Sequence, residues 1–218
     1  MDCNNCPDLG ILVEIDAANC PFDLKQIQKM AFSSKGSVIW DSATGGGLGD
    51  GSPQVDSQID TKADWDARRA AVDASKMVVT PFIGGDPIIT AGEPITEGGG
   101  DNSTLNGVEE VVGTNPSVFS AVFKSLSVAQ ELAIKDLMCR SGVEVTLFLE
   151  GGKIAASKPS ATSENITGFT TQSLFLGDRN NEGFGTKDSF AFSFSLAAGW
   201  SETLVVIDPA DFNPLFDL

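Results

Sequence analysis

A strict two-residue alternation near the end of the chain is the feature that most constrains the fold. Through residues 189–196 the apolar positions are Phe190, Phe192, Phe194 and Leu196, and serine or alanine stands between them. This period is typical of a strand with one face in a core. The chain also contains 23 glycines and 10 prolines, which mark many turns. The sequence therefore predicts a mainly β fold with one or a few helices, of the α+β class.

Local patterns place the other elements. Ser127 and Gln130 form a capping box that opens a predicted helix, and Thr61 and Asp64 have the same relation at the start of a second. Predicted helices cover 23–31, 62–75 and 128–139, the first of them from the spacing of Leu24, Ile27 and Met30. Predicted strands cover 8–16, 37–40, 77–83, 118–123, 143–149, 153–156, 166–176 and 204–207.

Two glycine-rich stretches interrupt these elements, at 44–53 and 97–102. We expect a single domain over 1–218, with an N-terminal extension over about 1–40 and flexible loops or arms over about 41–60 and 84–107. The second stretch is a candidate projecting arm, whose residues are Glu97, Gly98, Gly99, Gly100, Asp101 and Asn102.

The charge of the chain excludes several functions. Asp and Glu number 30 against 14 Lys and Arg, so the net charge is −16, and the chain has no His and no Tyr. Phosphates are held by clustered Lys and Arg, which argues against a nucleic-acid or anionic-membrane surface. Without His the usual general base and the commonest metal ligand are missing. No nucleophile or cofactor motif emerges, so we expect no enzyme and no cofactor.

Two weak metal patterns remain. Cys3, Cys6 and Cys20 are spaced somewhat like zinc ligands, with Cys139 as a conceivable fourth. The alternative is that they are reduced thiols and that Cys139 closes a helix. The run Asp178–Gly183 resembles the start of a calcium loop, but Ser189 stands where the bidentate glutamate belongs, and a turn between strands is the preferred interpretation.

The chain starts with acidic and polar residues, unlike a signal peptide. No apolar run approaches the roughly 18 residues that cross a bilayer. We therefore expect a protein made in the cytoplasm, with no membrane partner.

The region from about Met77 to Ile154 resembles the tail-tube proteins of long-tailed bacteriophages. The similarity lies in the order of the elements. An apolar strand precedes the polar arm through 95–104, and a strand over 118–123, the capped helix and a returning strand over 143–149 come after it. The Trp200 region and the closing run Asp211–Leu215 are also similar to such virion proteins.

The resemblance implies an antiparallel β-barrel or sandwich with a packed helix. It also implies a virion protein, assembled in the host bacterial cytoplasm, that forms hexameric rings. The rings would stack into a tube with other tail proteins and conduct DNA, without binding it specifically, during genome ejection. The glycine-rich arms would order on assembly. A head–tail connector or other virion ring protein is the alternative, and a soluble calcium- or carbohydrate-binding β-domain is another.

On this interpretation the acidity acquires a role. If part of the charge of −16 on each subunit lines the channel, it repels DNA phosphates over about 8 Å at physiological salt. The alternative is that acidity serves solubility alone.

Overall fold

The computed structural model describes residues 24, 26–41, 57–100, 103–160, 165–181, 183–209 and 211–218. Antiparallel strands dominate this part of the chain, which confirms the predicted β-rich α+β class. The strands are β1 Ile27–Ser34, β2 Trp40–Asp41, β3 Val78–Val79, β4 Ile83–Thr90, β5 Pro94–Glu97, β6 Glu110–Thr114, β7 Ser117–Lys124, β8 Val143–Leu149, β9 Ile154–Ser157, β10 Asn165–Ile166, β11 Phe169–Leu176, β12 Ser189–Leu196 and β13 Leu204–Ile207. The helices are α1 Lys62–Ala70, α2 Val128–Met138 and α3 Pro214–Asp217.

The main sheet is organised around β8. Its hydrogen-bonded order is β13-β9-β8-β11-β12-β7-β4, and β1 pairs with β8 and with β3. Along one edge β8 pairs with β1 over its whole length, and β11 and β9 pair with its first and last residues. All seven residues of β8 are buried. The smaller pairs β2–β10 and β5–β6 lie outside this sheet.

One face of the sheet builds a phenylalanine-rich core. The alternating residues of β12 all point into it, as predicted, and Phe119 stacks on Phe194 with ring centroids 4.6 Å apart. Phe32 contacts Phe192 and Phe194 edge-on. Such ring pairs add to the free energy of apolar burial, at about 0.5–1.5 kcal/mol each. We call this cluster the phenylalanine core.

The opposite face of β1 and β8 builds a second cluster, the tryptophan core. Trp40 stacks on Trp65 of α1 at 4.5 Å, and Trp65 meets Phe148 of β8 edge-on at 5.3 Å. The Trp65 indole nitrogen donates to the Ile59 carbonyl at 2.7 Å, so its polar atom is satisfied. Leu215 of α3 joins the same cluster. This core attaches α1 and the last residues to the sheet.

Two helix predictions need correction. The helix predicted over 23–31 is wrong, because Ile27–Ser34 is strand β1. Met30 and Phe32 enter the phenylalanine core while Ala31 enters the tryptophan core, so β1 is buried on both faces and pairing with β8 overrides the helical spacing.

The helix predicted over 62–75 ends at Ala70, and the Met77 amide returns to the Arg68 carbonyl at 3.0 Å. Thr61 occupies the N-cap position, but its hydroxyl donates to the Gln58 side chain instead of capping the helix. Asp64 accepts the Gln58 amide, so the predicted capping box is not formed. The strand predicted over 37–40 is limited to Trp40–Asp41, and the strand predicted over 77–83 is divided between Val78–Val79 of β3 and Ile83 at the start of β4. The strands from 117 onward lie close to their predicted positions, and the strand predicted over 8–16 falls outside the described residues.

Helix α2 begins as predicted. The Gln130 amide donates to the Ser127 hydroxyl at 3.2 Å, and the Ser127 amide donates to the Gln130 side-chain oxygen at 2.9 Å. The helix packs on β11, where the Leu176 amide lies 3.3 Å from the Met138 sulfur. Within the described residues, no helix is long and apolar enough to cross a membrane.

We expect Ser127→Ala to lower the free energy of unfolding by about 1 kcal/mol, since the substitution leaves the Gln130 amide without its cap. Urea denaturation followed by circular dichroism measures the change. The control is Ser141→Ala at an exposed serine beyond the helix. Equal stability of the two variants would show that the capping box contributes nothing.

A buried carboxylate lies at the start of β8. Glu144 is 5% exposed, and its Oε1 accepts the Gly36 amide at 3.2 Å. Its Oε2 has no hydrogen-bond partner among the described residues. Burial raises the pKa of this carboxyl, against smaller opposing effects of the Gly36 amide and Lys35. The native state therefore holds the proton to a higher pH than the unfolded chain does, so ionisation of Glu144 costs stability.

We expect Glu144→Gln to raise the free energy of unfolding at pH 7. The difference in stability between variant and wild type should disappear as the pH falls below the ordinary glutamate pKa of about 4.3, because Glu144 is then protonated in both the native and the unfolded state. Chemical denaturation at pH 7 and pH 4 measures both values, with exposed Glu150→Gln as the control. A destabilised variant at pH 7 would contradict the assignment of Glu144 as a buried, poorly compensated charge.

Candidate assembly surfaces

The predicted arm is a β-hairpin separate from the main sheet. Strands β5 and β6 pair only with each other among the described strands, and the Asn115 amide closes the base by donating to the Glu93 carbonyl at 2.9 Å. We call residues 93–114 the arm. Every residue of β5 is exposed, so the arm stands away from both cores.

The glycines of the arm have a structural reason. Gly98 has a φ of +94°, and a Cβ at this position would collide with the Val108 carbonyl oxygen. The Gly99 and Gly100 amides both donate to the Gly107 carbonyl at 3.2 Å. Glu97 ends β5 and pairs with Glu110, so Gly98–Gly100 begin the long connection between the two strands, whereas Asp101 and Asn102 lie outside the described residues.

The arm combines acidic and apolar residues. The sequence has no Lys or Arg between Met77 and Phe123. The arm carboxylates that the structure describes form no ion pair with another described residue; they are Glu93, Glu97, Glu109 and Glu110. Its exposed apolar side chains are Ile95, Leu105, Val108 and Val111. A surface of this kind fits a partner that offers both a cation and apolar contact.

A second surface is the outer face of β4, β7, β12 and β11. Residues directly opposite in antiparallel strands share a face, and the registers place Ile88 beside Ser120, Ser120 beside Ser193, and Ser193 beside Phe175. Asp86 and Lys124 are the only charged residues in these four strands. Ile88, Val118 and Phe175 are 50%, 42% and 51% exposed. Lys124 lies on the same side of β7 as Val118 and Ser120, at the end of the strand. We therefore give the name uncharged face to the part of this surface around Val118 and Ser120.

A groove lies between α2 and the segment that joins α1 to β3. Its volume is about 570 Å³. Its walls come from three separate parts of the chain, and its lining includes Phe32, Val72, Lys76, Val78, Leu137 and Arg140. Arg140 is bound to Asp136 by two hydrogen bonds of 2.8 and 3.1 Å. Lys76 is exposed and forms no ion pair within the described part of the chain.

Sequence reasoning missed this groove. The prediction placed Val72 and Asp73 inside a helix over 62–75. In the structure the helix ends at Ala70, and these two residues line the groove. No sequence pattern marked the groove, because Val72 and Leu137 are far apart in the chain and only the tertiary structure brings them to one lining.

Basic side chains pair with Asp178, in the calcium-like run, and with Asp188, which follows it. The exposed Asp178 accepts Lys135 Nζ at 3.1 Å, and Asn180 forms backbone bonds with Ser189. Arg179 donates to Asp188 at 3.1 Å and to the Leu126 carbonyl at 3.2 Å. A hydrogen bond from the Asn181 side chain has the larger effect on the pKa of Asp188, and one from Arg179 the smaller; together they hold that pKa below its usual range. Glu182 lies outside the described residues. This arrangement ties a turn between strands to α2.

The zinc candidates cannot be compared with the fold, since Cys3, Cys6 and Cys20 lie outside the described residues. Cys139 is the C-cap of α2, as predicted, but it is an exposed free thiol rather than a packed side chain. The described residues contain no group of three His, Cys, Asp or Glu side chains that could hold a metal ion.

Comparison with known proteins gives two structural neighbours. One is a chain in the tail of an empty gene transfer agent particle with C6 symmetry, with 11% identity, a TM-score of 0.31, and coverage of 58% of this chain and 82% of that one. The other is a chain in the virion of a native gene transfer agent particle, with 12% identity, a TM-score of 0.30, and coverage of 56% and 82%. No family model matches, and no curated protein is significantly similar in sequence. Similarity at this level does not by itself assign a function.

We expect calcium to leave the melting temperature unchanged, because Lys135 and Arg179 already pair with Asp178 and Asp188. Arg179→Ala should lower the melting temperature, since it also removes the bond to the Leu126 carbonyl. Differential scanning fluorimetry with calcium and with a chelator measures both effects, and Lys187→Ala at a neighbouring exposed lysine is the control. A calcium-dependent rise in the wild type would restore the calcium-loop interpretation.

Proposed function

We propose that this chain is a structural subunit of a phage-like virion tail, and specifically a tail-tube subunit that self-associates into stacked rings. The role is architectural rather than catalytic. The observation that supports self-association best is the uncharged face, which stands out on a chain with a net charge of −16.

Charge decides which surfaces two copies can bring together. Two chains of −16 repel each other, and burying an unpaired carboxylate in a contact costs several kcal/mol. The uncharged face avoids that cost over four strands. Its exposed Ile88, Val118 and Phe175 also supply apolar area, and burial of apolar area favours association by roughly 25 cal/mol per Å².

The order of elements supports the tail-tube assignment. The resemblance noted in the sequence rested on a strand, a long arm, a second strand, a capped helix and a returning strand. In the folded chain the strand predicted over 77–83 becomes β3 and the first residue of β4, and the arm, β7, α2 and β8 follow in that order. A protruding hairpin and an uncharged face are different surfaces, as a ring with heterologous contacts requires.

The conduit for DNA is the finer part of the proposal. Six copies that each carry −16 would give a strongly acidic ring. An acidic wall repels phosphates and offers no clustered cations for them to bind. DNA would therefore pass without specific binding during genome ejection, in a virion assembled in the bacterial cytoplasm.

We expect the concentrated wild-type protein to form rings or tubes in negative-stain electron microscopy. Val118→Glu places a carboxylate on the uncharged face and should abolish these assemblies while preserving the thermal melt. Val128→Glu, the same change at an exposed position of α2, is the matched control and should assemble normally. A wild type that stays monomeric at every concentration would contradict the proposal. Single rings that never stack would favour a head–tail connector.

A further inference from the structure

A cleft separate from the groove lies beside the phenylalanine core. Its volume is about 320 Å³, which is within the range of about 300–1,000 Å³ that ligand clefts span. Its lining includes Leu24, Ile27, Ile89 and Trp200, all of which belong to the phenylalanine core or pack against it. The lining also includes the exposed Ser201, so the cleft opens at the surface. It is therefore an apolar recess that continues from the core.

One buried hydroxyl in this cleft has no partner. Ser117 is the first residue of β7 and lies on the same side of the strand as Phe119, because side chains alternate along a strand. It lines the cleft and is 8% exposed, and its side chain forms no hydrogen bond with a described residue. A buried polar group without a hydrogen bond is unfavourable, and a hydroxyl can both donate and accept. A ligand oxygen beside Ser117 would satisfy it.

The charges around the cleft favour a neutral ligand. None of the described residues that line it is charged. Asp86 and Glu202 each adjoin a lining residue in the sequence, and no Lys or Arg occurs between Met77 and Phe123. Acidic surroundings repel an anion, and an apolar wall would strip the hydration from a cation.

Trp200 gives the cleft an aromatic wall. Its ring is partly exposed and meets Phe169 edge-on, with ring centroids 5.3 Å apart. Aromatic rings attract a further ring in an offset-stacked or edge-to-face arrangement. The lining therefore suits a molecule that joins an aromatic ring to a single polar group.

We propose that the cleft binds a small neutral aromatic alcohol, with its ring against Ile89 and Trp200 and its hydroxyl hydrogen-bonded to Ser117. The site is separate from the surface proposed for self-association, because Ile89 and Ser117 alternate with Ile88 and Val118 and so lie on the opposite side of the sheet. The ligand would contact β1, β4 and β7 together. Because it binds only the folded chain, it would stabilise the fold.

Phenethyl alcohol is the probe, and its matched controls are ethylbenzene, which lacks the oxygen, and phenylacetate, which is an anion. Trp200 supplies the signal, since Trp40 and Trp65 are 1% and 0% exposed in the tryptophan core. We expect phenethyl alcohol to change the tryptophan emission saturably, with a dissociation constant in the millimolar range. Both controls should bind more weakly, and Trp200→Phe should remove the change.

Variants of the cleft provide the second measurement. Ser117→Ala should raise the dissociation constant for phenethyl alcohol about fivefold, the loss expected for one hydrogen bond, and leave that for ethylbenzene unchanged. Ser120→Ala, on the other side of the same strand, is the matched control. Ala91→Phe adds a ring at an exposed lining position and should abolish binding. Thermal melts verify that each variant folds.

Three results would overturn the proposal. The first is no saturable change in emission up to the solubility limit of the probe, as expected if only water or another part of the chain occupies the cleft. The second is equal affinity for the alcohol and its two controls. The third is a Ser117→Ala variant that binds like the wild type. Emission can be measured on single subunits and on rings alike, so each result stands apart from the outcome for the tail-tube role.

Discussion

The strand β8 is the element on which the rest of the structure depends. It is buried at every position and pairs with three other strands, so it belongs to both cores at once. Val145, Leu147 and Leu149 face the phenylalanine core, and Phe148 faces the tryptophan core. A slip of one residue in its register would exchange these faces. The same constraint explains why the fold keeps Glu144 at a buried position, where the charge is poorly compensated.

The distribution of charge matters more for association than the total. Strongly acidic chains repel, yet β4, β7, β11 and β12 carry one acid and one base between them. The carboxylates of the arm are concentrated on a segment without basic residues. The chain therefore offers two contact surfaces of different chemistry, one uncharged and extended, and one acidic and protruding. In the ring that we propose, a heterologous contact would join two different surfaces of neighbouring copies.

Sequence patterns succeeded where the signal was local. The Ser127–Gln130 box predicted the start of α2, and the alternation in β12 predicted its buried face, because neighbouring residues alone determine both. The helix predicted from the spacing of Ile27 and Met30 is wrong, because a strand that is buried on both faces also has apolar residues at helical intervals. The groove was not predictable, because its walls come from segments far apart in the chain.

By itself, the sequence determined the β-rich class, the capped helix and the acidity, because each depends on short-range preferences or on composition. The tertiary structure alone decided that β1 is a strand, that the outer face of four strands has few charges, and that α2 and the segment after α1 line one groove. These features depend on pairing and burial between distant segments. The free energy of such contacts is larger than any local propensity, and no pattern within a single stretch of sequence records it.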